Sequence, residues 1–196
     1  MKKDTKIAIA VAGSIVAAAV LVVVFRKQIK KVFGGYKWFD EGLNWYRDEK
    51  TRATVNRLHP KAIDDFKEFI SRVEKELGLQ VIATSGYRSW EKQAELRRLN
   101  PKNARAGYSS HNYGFALDVN VMKNNNIVLR KSSSKEAWNK SGVVGIAKKM
   151  GFKWGGDFPS YHDPVHFYIE PKGMNTSQLR SLYLAGKRDS RGYVKI

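Results

Sequence analysis

The sequence predicts an α+β fold, in which a small, mainly antiparallel sheet with flanking helices follows an N-terminal transmembrane helix. Two patterns support this prediction. Segments with helical spacing of apolar residues precede and interrupt a few short strands, and one uncharged apolar run occupies residues 7–25. A chain of 196 residues is long enough for one domain of ordinary size plus such an appendage. We expect a membrane anchor (1–31), a basic connector with aromatic residues (32–56) and a compact domain (57–196).

The apolar run is predicted to be an uncleaved membrane anchor. It is rich in Ala, Val and Ile, and basic residues flank it on both sides. A span of about 20 apolar residues crosses the hydrocarbon core of a bilayer. A cleaved signal peptide fits less well because no small-x-small cleavage site follows the run. A buried soluble helix fits less well because the run has no polar face.

The first half of the compact domain contains two predicted helices with a strand between them. Pro60 can start a helix that ends at Gly78, since apolar residues recur at helical spacing: Ile63, Phe66, Phe69, Ile70, Val73 and Leu77. Residues 81–83 are a short apolar run typical of a buried strand. Ser89 can cap a second helix that ends at Asn100, and residues 101–110 are expected to form a loop.

The second half of the domain contains the remaining strands. Residues 115–122 alternate in polarity, which predicts a strand with one apolar face; that face carries Leu117, Val119 and Val121. Residues 124–126 are asparagines and predict a turn into a hairpin partner at 127–129. One helix over 137–150, a loop over 154–157, a strand over 166–169 and a last helix, which Thr176 can cap and which runs through Leu184, complete the prediction.

Composition limits the possible chemistry and partners. The chain contains no cysteine, which excludes disulfides, thiolate metal sites and cysteine nucleophiles. The net charge is +18, and residues 32–196 alone keep 29 basic and 17 acidic side chains. A positive field favours polyanions such as nucleic acid, anionic lipid or an anionic wall polymer. A solvated surface explains the charge equally well, so charge alone does not choose among these partners.

Three residues form a candidate metal site: His111, Asp118 and His166. Two imidazoles and a carboxylate suit Zn²⁺, and three protein ligands with a fourth position open are typical of a catalytic zinc. Asp163 lies three residues before the last ligand, where it could act as a base on water. The His–Asp spacing alone is more often structural, but the Asp-x-x-His segment that leads into an aromatic strand favours the metal site.

The same residues resemble a known family. In order along the chain, the matching motifs are residues 85–89 with Gln93, then Ser109, His111, Gly114, Ala116 and Asp118, then residues 154–158, then Asp163, His166 and Phe167. Together they resemble the zinc D-alanyl-D-alanine carboxypeptidases and L-alanyl-D-glutamate endopeptidases, a group that includes vancomycin-resistance peptidases and phage endolysins. The Trp-Gly-Gly-Asp form resembles the L-alanyl-D-glutamate branch most. Many relatives place proline next to the last histidine, whereas this chain has Pro164-Val165 there.

The resemblance implies a role for each motif residue. It assigns His111, Asp118 and His166 as zinc ligands and Asp163 as the general base. It makes Arg88 the group that holds a substrate carboxylate or the developing oxyanion. The implied substrate-binding residues are Tyr87, Gln93, Ser109 and Trp154. Asp157 is expected either to orient a ligand histidine or to stabilise its turn, whereas His59 and His162 are expected to be surface or capping residues.

The resemblance also implies the function, a zinc-dependent peptidase that hydrolyses the stem peptide of peptidoglycan. The bond between L-Ala and D-Glu is the leading candidate. Removal of a terminal D-Ala is the alternative within the enzyme class, and a non-catalytic basic module that binds wall polymer or nucleic acid is the alternative outside it. The expected partners are the stem peptide and a lipid bilayer, through residues 7–25, but not nucleic acid. The domain would act on the wall from the outer face of a bacterium or from the membrane of a phage virion.

Overall fold

The computed structural model describes residues 48–196. The predicted anchor and residues 32–47 of the predicted connector lie outside this range. Among the residues that are described, no helix combines the length and apolar character needed to cross a membrane.

A five-stranded antiparallel sheet organises the described part of the chain. Its strands are β1 (Gln80–Ser85), β2 (Ala116–Lys123), β3 (Asn126–Leu129), β4 (Lys153–Trp154) and β5 (His166–Tyr168). The spatial order is β1-β2-β5-β4, and β3 pairs with the end of β2 as the predicted hairpin. The antiparallel pairing of every neighbour confirms the predicted sheet.

The described residues form six α-helices: α1 (Glu49–Asn56), α2 (Pro60–Leu77), α3 (Trp90–Leu99), α4 (Lys135–Lys140), α5 (Val143–Lys149) and α6 (Thr176–Leu184). Of these, α1 and α2 pack against β1, and α5 packs against β4. The predicted α2 is confirmed, and its Phe69 ring lies 5.1 Å from that of Phe167 on β5. The core face of β2 carries Leu117, Val119 and Val121, all fully buried as predicted. The opposite face of β2 is therefore left for polar side chains.

Residues 49–56, which the sequence analysis placed in the connector, form α1 and pack against β1. Thr51 and Val55 are its buried residues, and the Thr51 hydroxyl oxygen accepts a hydrogen bond from the Ala83 amide at 2.9 Å. That amide lies where the pairing of β1 with β2 shifts register, between Ala83 and Ser85. The helix therefore stabilises the bulge that ends β1.

The single helix predicted over 137–150 is wrong, because the chain forms α4 and α5 instead. Gly142 separates them with a φ of +84°, a left-handed conformation that no α-helix continues through.

The last helix, α6, ends at Leu184 as predicted, but its N-cap is Asn175 rather than Thr176. The Asn175 side chain accepts from the Gln178 amide, and the Gln178 side chain accepts from the Asn175 amide, which completes a capping box.

His59 caps α2, in agreement with the expectation that it is a capping residue. Its Nδ1 accepts a hydrogen bond from the Lys61 amide at 3.1 Å. Its Nε2 lies 2.9 Å from the Val194 carbonyl oxygen, and a carbonyl can only accept, so Nε2 carries the ring proton. The ring is therefore neutral, and burial lowers its pKa from the ordinary 6.5.

Stability should fall below pH 6.5 partly through His59. Between the lowered folded pKa and 6.5 the unfolded chain binds more protons than the folded chain, so the contribution of His59 is complete above pH 6.5 and is lost as the pH falls. His59→Asn keeps a good N-cap but cannot titrate. Denaturant unfolding from pH 8 to pH 5 should show a shallower loss for this variant. His162→Asn, which removes an exposed imidazole, is the control, and identical pH profiles for His59→Asn and wild type would contradict the assignment.

Candidate active site

The pairing of three strands brings polar side chains together on the open face of the sheet. Asp118 on β2 lies opposite His166 on β5 and opposite Ser85 at the bulge of β1. Residues directly opposite each other on antiparallel strands point to the same face. Asp118, His166 and Ser85 therefore share the face that Leu117 and Phe167 do not occupy.

His111 reaches this group from a 3₁₀ turn, Ser110–Tyr113. The turn ends at Gly114, which has a φ of +73°, and an added β-carbon there would lie only 2.4 Å from the His59 backbone nitrogen. The positive φ and the close approach of the His59 backbone both require glycine at this position. His111 is only 3% exposed. His111, Asp118 and His166 each offer one possible ligand atom, and these three atoms lie within 4.8 Å of one another.

The hydrogen bonds around the two imidazoles leave lone pairs that converge on the Asp118 carboxylate. His111 Nδ1 donates to the Gly86 carbonyl oxygen at 2.6 Å, so the Nε2 of the neutral ring carries a lone pair, and it faces Asp118 Oδ1 at 3.1 Å. His166 Nε2 can donate to Ser110 Oγ at 3.2 Å, which turns the lone pair of Nδ1 toward the same oxygen at 2.9 Å. Such an arrangement requires a cation, either a proton or a metal ion, between the rings and the carboxylate, and the donor set fits Zn²⁺.

Electrostatics favour the protonation states that a metal requires. Burial lowers the pKa of His111, which keeps its imidazole neutral. Burial by itself would raise the pKa of Asp118, but the contacts of this carboxylate with the two histidine side chains outweigh burial and hold that pKa well below its ordinary value. Neutral imidazoles and an ionised carboxylate are the forms that bind a metal ion.

Arg88 lies beside the cluster with its guanidinium held by neighbours. It donates to Gln93 Oε1 at 2.8 Å and to Ser85 Oγ at 2.9 Å, and one terminal nitrogen is 3.7 Å from Asp118 Oδ2. Gln93 is only 1% exposed and donates in turn to the Ala104 carbonyl oxygen at 2.7 Å. Gln93, predicted as a substrate-binding residue, therefore positions Arg88.

Asp163 offers an acceptor that its neighbours leave unused. Its Oδ1 is buried and has no hydrogen-bond partner, and the Lys131 Nζ lies 3.6 Å from it. The carboxylate lines the same groove as the three candidate ligands. It is therefore placed to accept a proton from a molecule in the groove.

Trp154 was predicted to bind substrate, but the structure places it in the core at 2% exposure. Its indole N–H donates to the Pro164 carbonyl oxygen at 2.8 Å. The next residue, Gly155, packs against the same segment: an added β-carbon would lie 2.4 Å from the Asp163 carbonyl oxygen. The Trp-Gly motif therefore fixes the segment that carries Asp163 and His166, and Trp154 is not part of the groove wall.

Two other predicted site residues lie away from the cluster. The Asp157 carboxylate forms ion pairs with Lys135 at 2.9 Å and Lys148 at 2.6 Å. Of its two expected roles, the contact with a ligand histidine is therefore replaced by contacts with lysines. The Tyr87 ring packs edge-on against Tyr193 at 5.8 Å. Tyr87 does not line the groove, whereas Ser109, another predicted substrate-binding residue, does.

The groove above the cluster has a volume of about 900 Å³. Its wall includes Phe158 from the predicted motif at 154–158 and four residues that no predicted role covered, namely Ser110, Lys131, Tyr161 and Tyr168. Phe158 and Tyr168 flank His166, with ring centres 5.9 and 5.2 Å from the imidazole. The position of Ser110 beside His111 was the only sequence signal for any of those four residues. Lys131 is one of 36 basic residues, and nothing in the sequence distinguishes it from the others.

Gly155→Ala should weaken zinc binding by about tenfold to a hundredfold, since changes behind a ligand commonly cost that much. The added methyl group would displace the Asp163 carbonyl and, at 2.9 Å, the β-carbon of His166. Gly145→Ala on α5 is the matched control, because nothing lies within 4 Å of its added β-carbon. Competition with a chelator gives both affinities. Equal affinities for the two variants would contradict the supporting role of Gly155.

Comparison with known proteins identifies the family. Residues 102–169 match a family model described as D-alanyl-D-alanine carboxypeptidase. The chain is 31% identical over 127 residues to the peptidoglycan L-alanyl-D-glutamate endopeptidase CwlK of Bacillus subtilis, a match that covers 58% of this chain and 74% of that protein. It is 27% identical over 134 residues to the L-alanyl-D-glutamate peptidase of a Listeria phage, covering 67% of this chain and 44% of that protein.

The solved structure of the Serratia marcescens L-Ala D-Glu endopeptidase ChiX superposes with a TM-score of 0.48 and 19% identity, over 64% of this chain and 90% of that chain. The match to CwlK, together with the family model, confirms the resemblance seen in the motifs. The chain belongs to the family of zinc D-alanyl-D-alanine carboxypeptidases and L-alanyl-D-glutamate endopeptidases.

Proposed function

We propose that this protein is a zinc peptidase that cuts the stem peptide of peptidoglycan between L-Ala and D-Glu. The observation that carries the proposal is the convergence of two imidazole lone pairs and one carboxylate at the floor of an open groove. The bond is suggested by the two curated relatives described above, both of which are L-alanyl-D-glutamate peptidases.

His111, Asp118 and His166 would hold the zinc ion. The Gly86 carbonyl oxygen and the Ser110 hydroxyl group fix the orientation of the two rings, since each binds the nitrogen that does not face Asp118. Zinc, when bound, supplies Lewis acidity, which lowers the pKa of coordinated water and polarises a scissile carbonyl.

Asp163 would transfer the proton, and Arg88 would stabilise the negative charge that develops during the reaction. Asp163 accepts the proton of the attacking water on its carboxylate, which lines the groove, and returns it to the leaving amine. Arg88, which Gln93 and Ser85 hold at the edge of the cluster, stabilises the negative charge that develops on the carbonyl oxygen. Ser109 lines the groove and is positioned to hydrogen-bond the peptide backbone.

Removal of a terminal D-Ala is the second candidate function, because the matching family model is described as a D-alanyl-D-alanine carboxypeptidase. The same metal cluster and base would serve it, and Arg88 would then bind the terminal carboxylate. The non-catalytic alternative is disfavoured, since a degenerate domain has no reason to retain three ligand-type residues and a free acid in one groove.

Mass spectrometry of digested peptidoglycan distinguishes these functions. We expect fragments with a new L-Ala carboxyl end and a new D-Glu amino end, lost after chelation and restored by zinc. Release of free D-Ala without stem cleavage would favour the carboxypeptidase, and intact peptidoglycan with the zinc-loaded protein would contradict both enzymatic functions.

Asp163→Asn should retain zinc and the fold but lose activity by about a hundredfold or more, because an amide cannot accept the proton of the water. Asp157→Asn is the matched control, since its carboxylate pairs with Lys135 and Lys148 instead of facing the groove. Initial rates with equal zinc content are the measurement. Turnover of Asp163→Asn close to that of Asp157→Asn would move the base role elsewhere.

We further propose that residues 7–25 anchor the domain in a membrane. Basic residues are more numerous after this run than before it, which favours a cytoplasmic domain by the positive-inside rule, whereas wall hydrolysis requires the outer face. Packaging in the membrane of a phage virion would satisfy both. Protease added to intact spheroplasts should digest an outward-facing domain. If the domain is digested only after lysis, the outward orientation is excluded and packaging in the membrane of a phage virion is favoured.

A further inference from the structure

Lys131 lies on the loop that joins β3 to α4 and lines the groove. Hydrogen bonds give this loop a defined shape. The Arg130 amide donates to Ser133 Oγ at 3.0 Å, and the Arg130 carbonyl oxygen accepts from the Trp138 indole at 3.3 Å. The His162 ring contacts the Ser133 carbonyl oxygen at 3.2 Å, which ties the loop to the segment that carries Asp163.

The two cations nearest the reacting groups differ in what they can offer a ligand. The Arg88 side chain is 18% exposed and already donates to Gln93 and Ser85. The Lys131 side chain is 75% exposed, and its Nζ is 3.6 Å from Asp163 Oδ1, too far for a good hydrogen bond. The three N–H groups of the Lys131 ammonium are therefore available to a molecule in the groove.

The proposed substrate brings a carboxylate to this place. A glutamyl residue has two carboxyl groups, and only one of them can continue the stem peptide, so the other is free and lies a few bonds from the scissile nitrogen. Asp163 must reach that nitrogen to protonate it. A cation beside Asp163 is thus close to the free carboxylate of the bound glutamyl residue.

We propose that Lys131 is a specificity-determining residue that binds the free carboxylate of the glutamyl residue on the amine side of the scissile bond. The inference rests on the proposed function. It gives different tasks to Arg88 and Lys131: Arg88 acts on the developing oxyanion, and Lys131 selects an acidic residue after the cut.

Two synthetic stem peptides test this role, one with the free carboxylate and one in which that group is a primary amide. Wild-type enzyme should prefer the acid by about tenfold or more in kcat/KM, since a hydrogen bond to a charged group is worth at least that much. Lys131→Met should bring the acid-to-amide ratio close to one, mainly through a higher KM for the acid. Lys131→Arg should keep most of the preference because it keeps the charge.

Lys102→Met is the matched control, because it removes another lysine of the groove wall, whereas the ion pair of Asp163 is with Lys131. It should keep the preference. An equal loss on both peptides in Lys131→Met, or a collapse of the ratio in Lys102→Met, would overturn the inference. Wild-type enzyme that cuts both peptides equally would overturn it and leave the proposed function intact, whereas cleavage of neither peptide would overturn both.

Discussion

The register between β2 and β5 is the constraint on which the candidate site depends. Asp118 lies opposite His166, and the Val119 amide donates to the Val165 carbonyl oxygen at 3.0 Å. On the other face, Leu117 lies opposite Phe167, and both are fully buried. A slip of one residue would turn a ligand into the core and a core side chain into the groove. The burial of apolar residues on one face therefore fixes the ligand geometry on the other.

The carboxylates of Asp118 and Asp163, which both line the groove, have different environments that suit different tasks. Asp118 lies between two imidazoles and an arginine, and these groups hold it in the ionised form that a metal binds. Asp163 has a buried oxygen without a hydrogen-bond partner, so it keeps a free acceptor. The Trp154 indole and the lack of a side chain at Gly155 keep the Asp163 segment against the sheet. Local contacts thus suit Asp118 to bind a metal ion and Asp163 to transfer a proton.

The sequence predicted what periodicity and ligand chemistry can reveal. The spacing of apolar residues predicted α2 and the buried face of β2, and the residue types predicted the metal cluster. It did not predict α1, because that helix is mostly polar and buries only Thr51 and Val55. Motif membership also gave no information on exposure, so buried Trp154 was predicted to touch substrate. The position of Lys131 beside Asp163 depends on a long-range loop contact that no local pattern encodes.

The central claim is that His111, Asp118 and His166 bind one zinc ion. X-ray absorption at the zinc edge of the metal-loaded protein tests it most directly. The account predicts a four-coordinate ion with two imidazole nitrogens and the rest oxygen, at about 2.0–2.2 Å, and the loss of one imidazole in His166→Ala. A six-coordinate shell of oxygen alone, or a spectrum that is unchanged in His166→Ala, would contradict it.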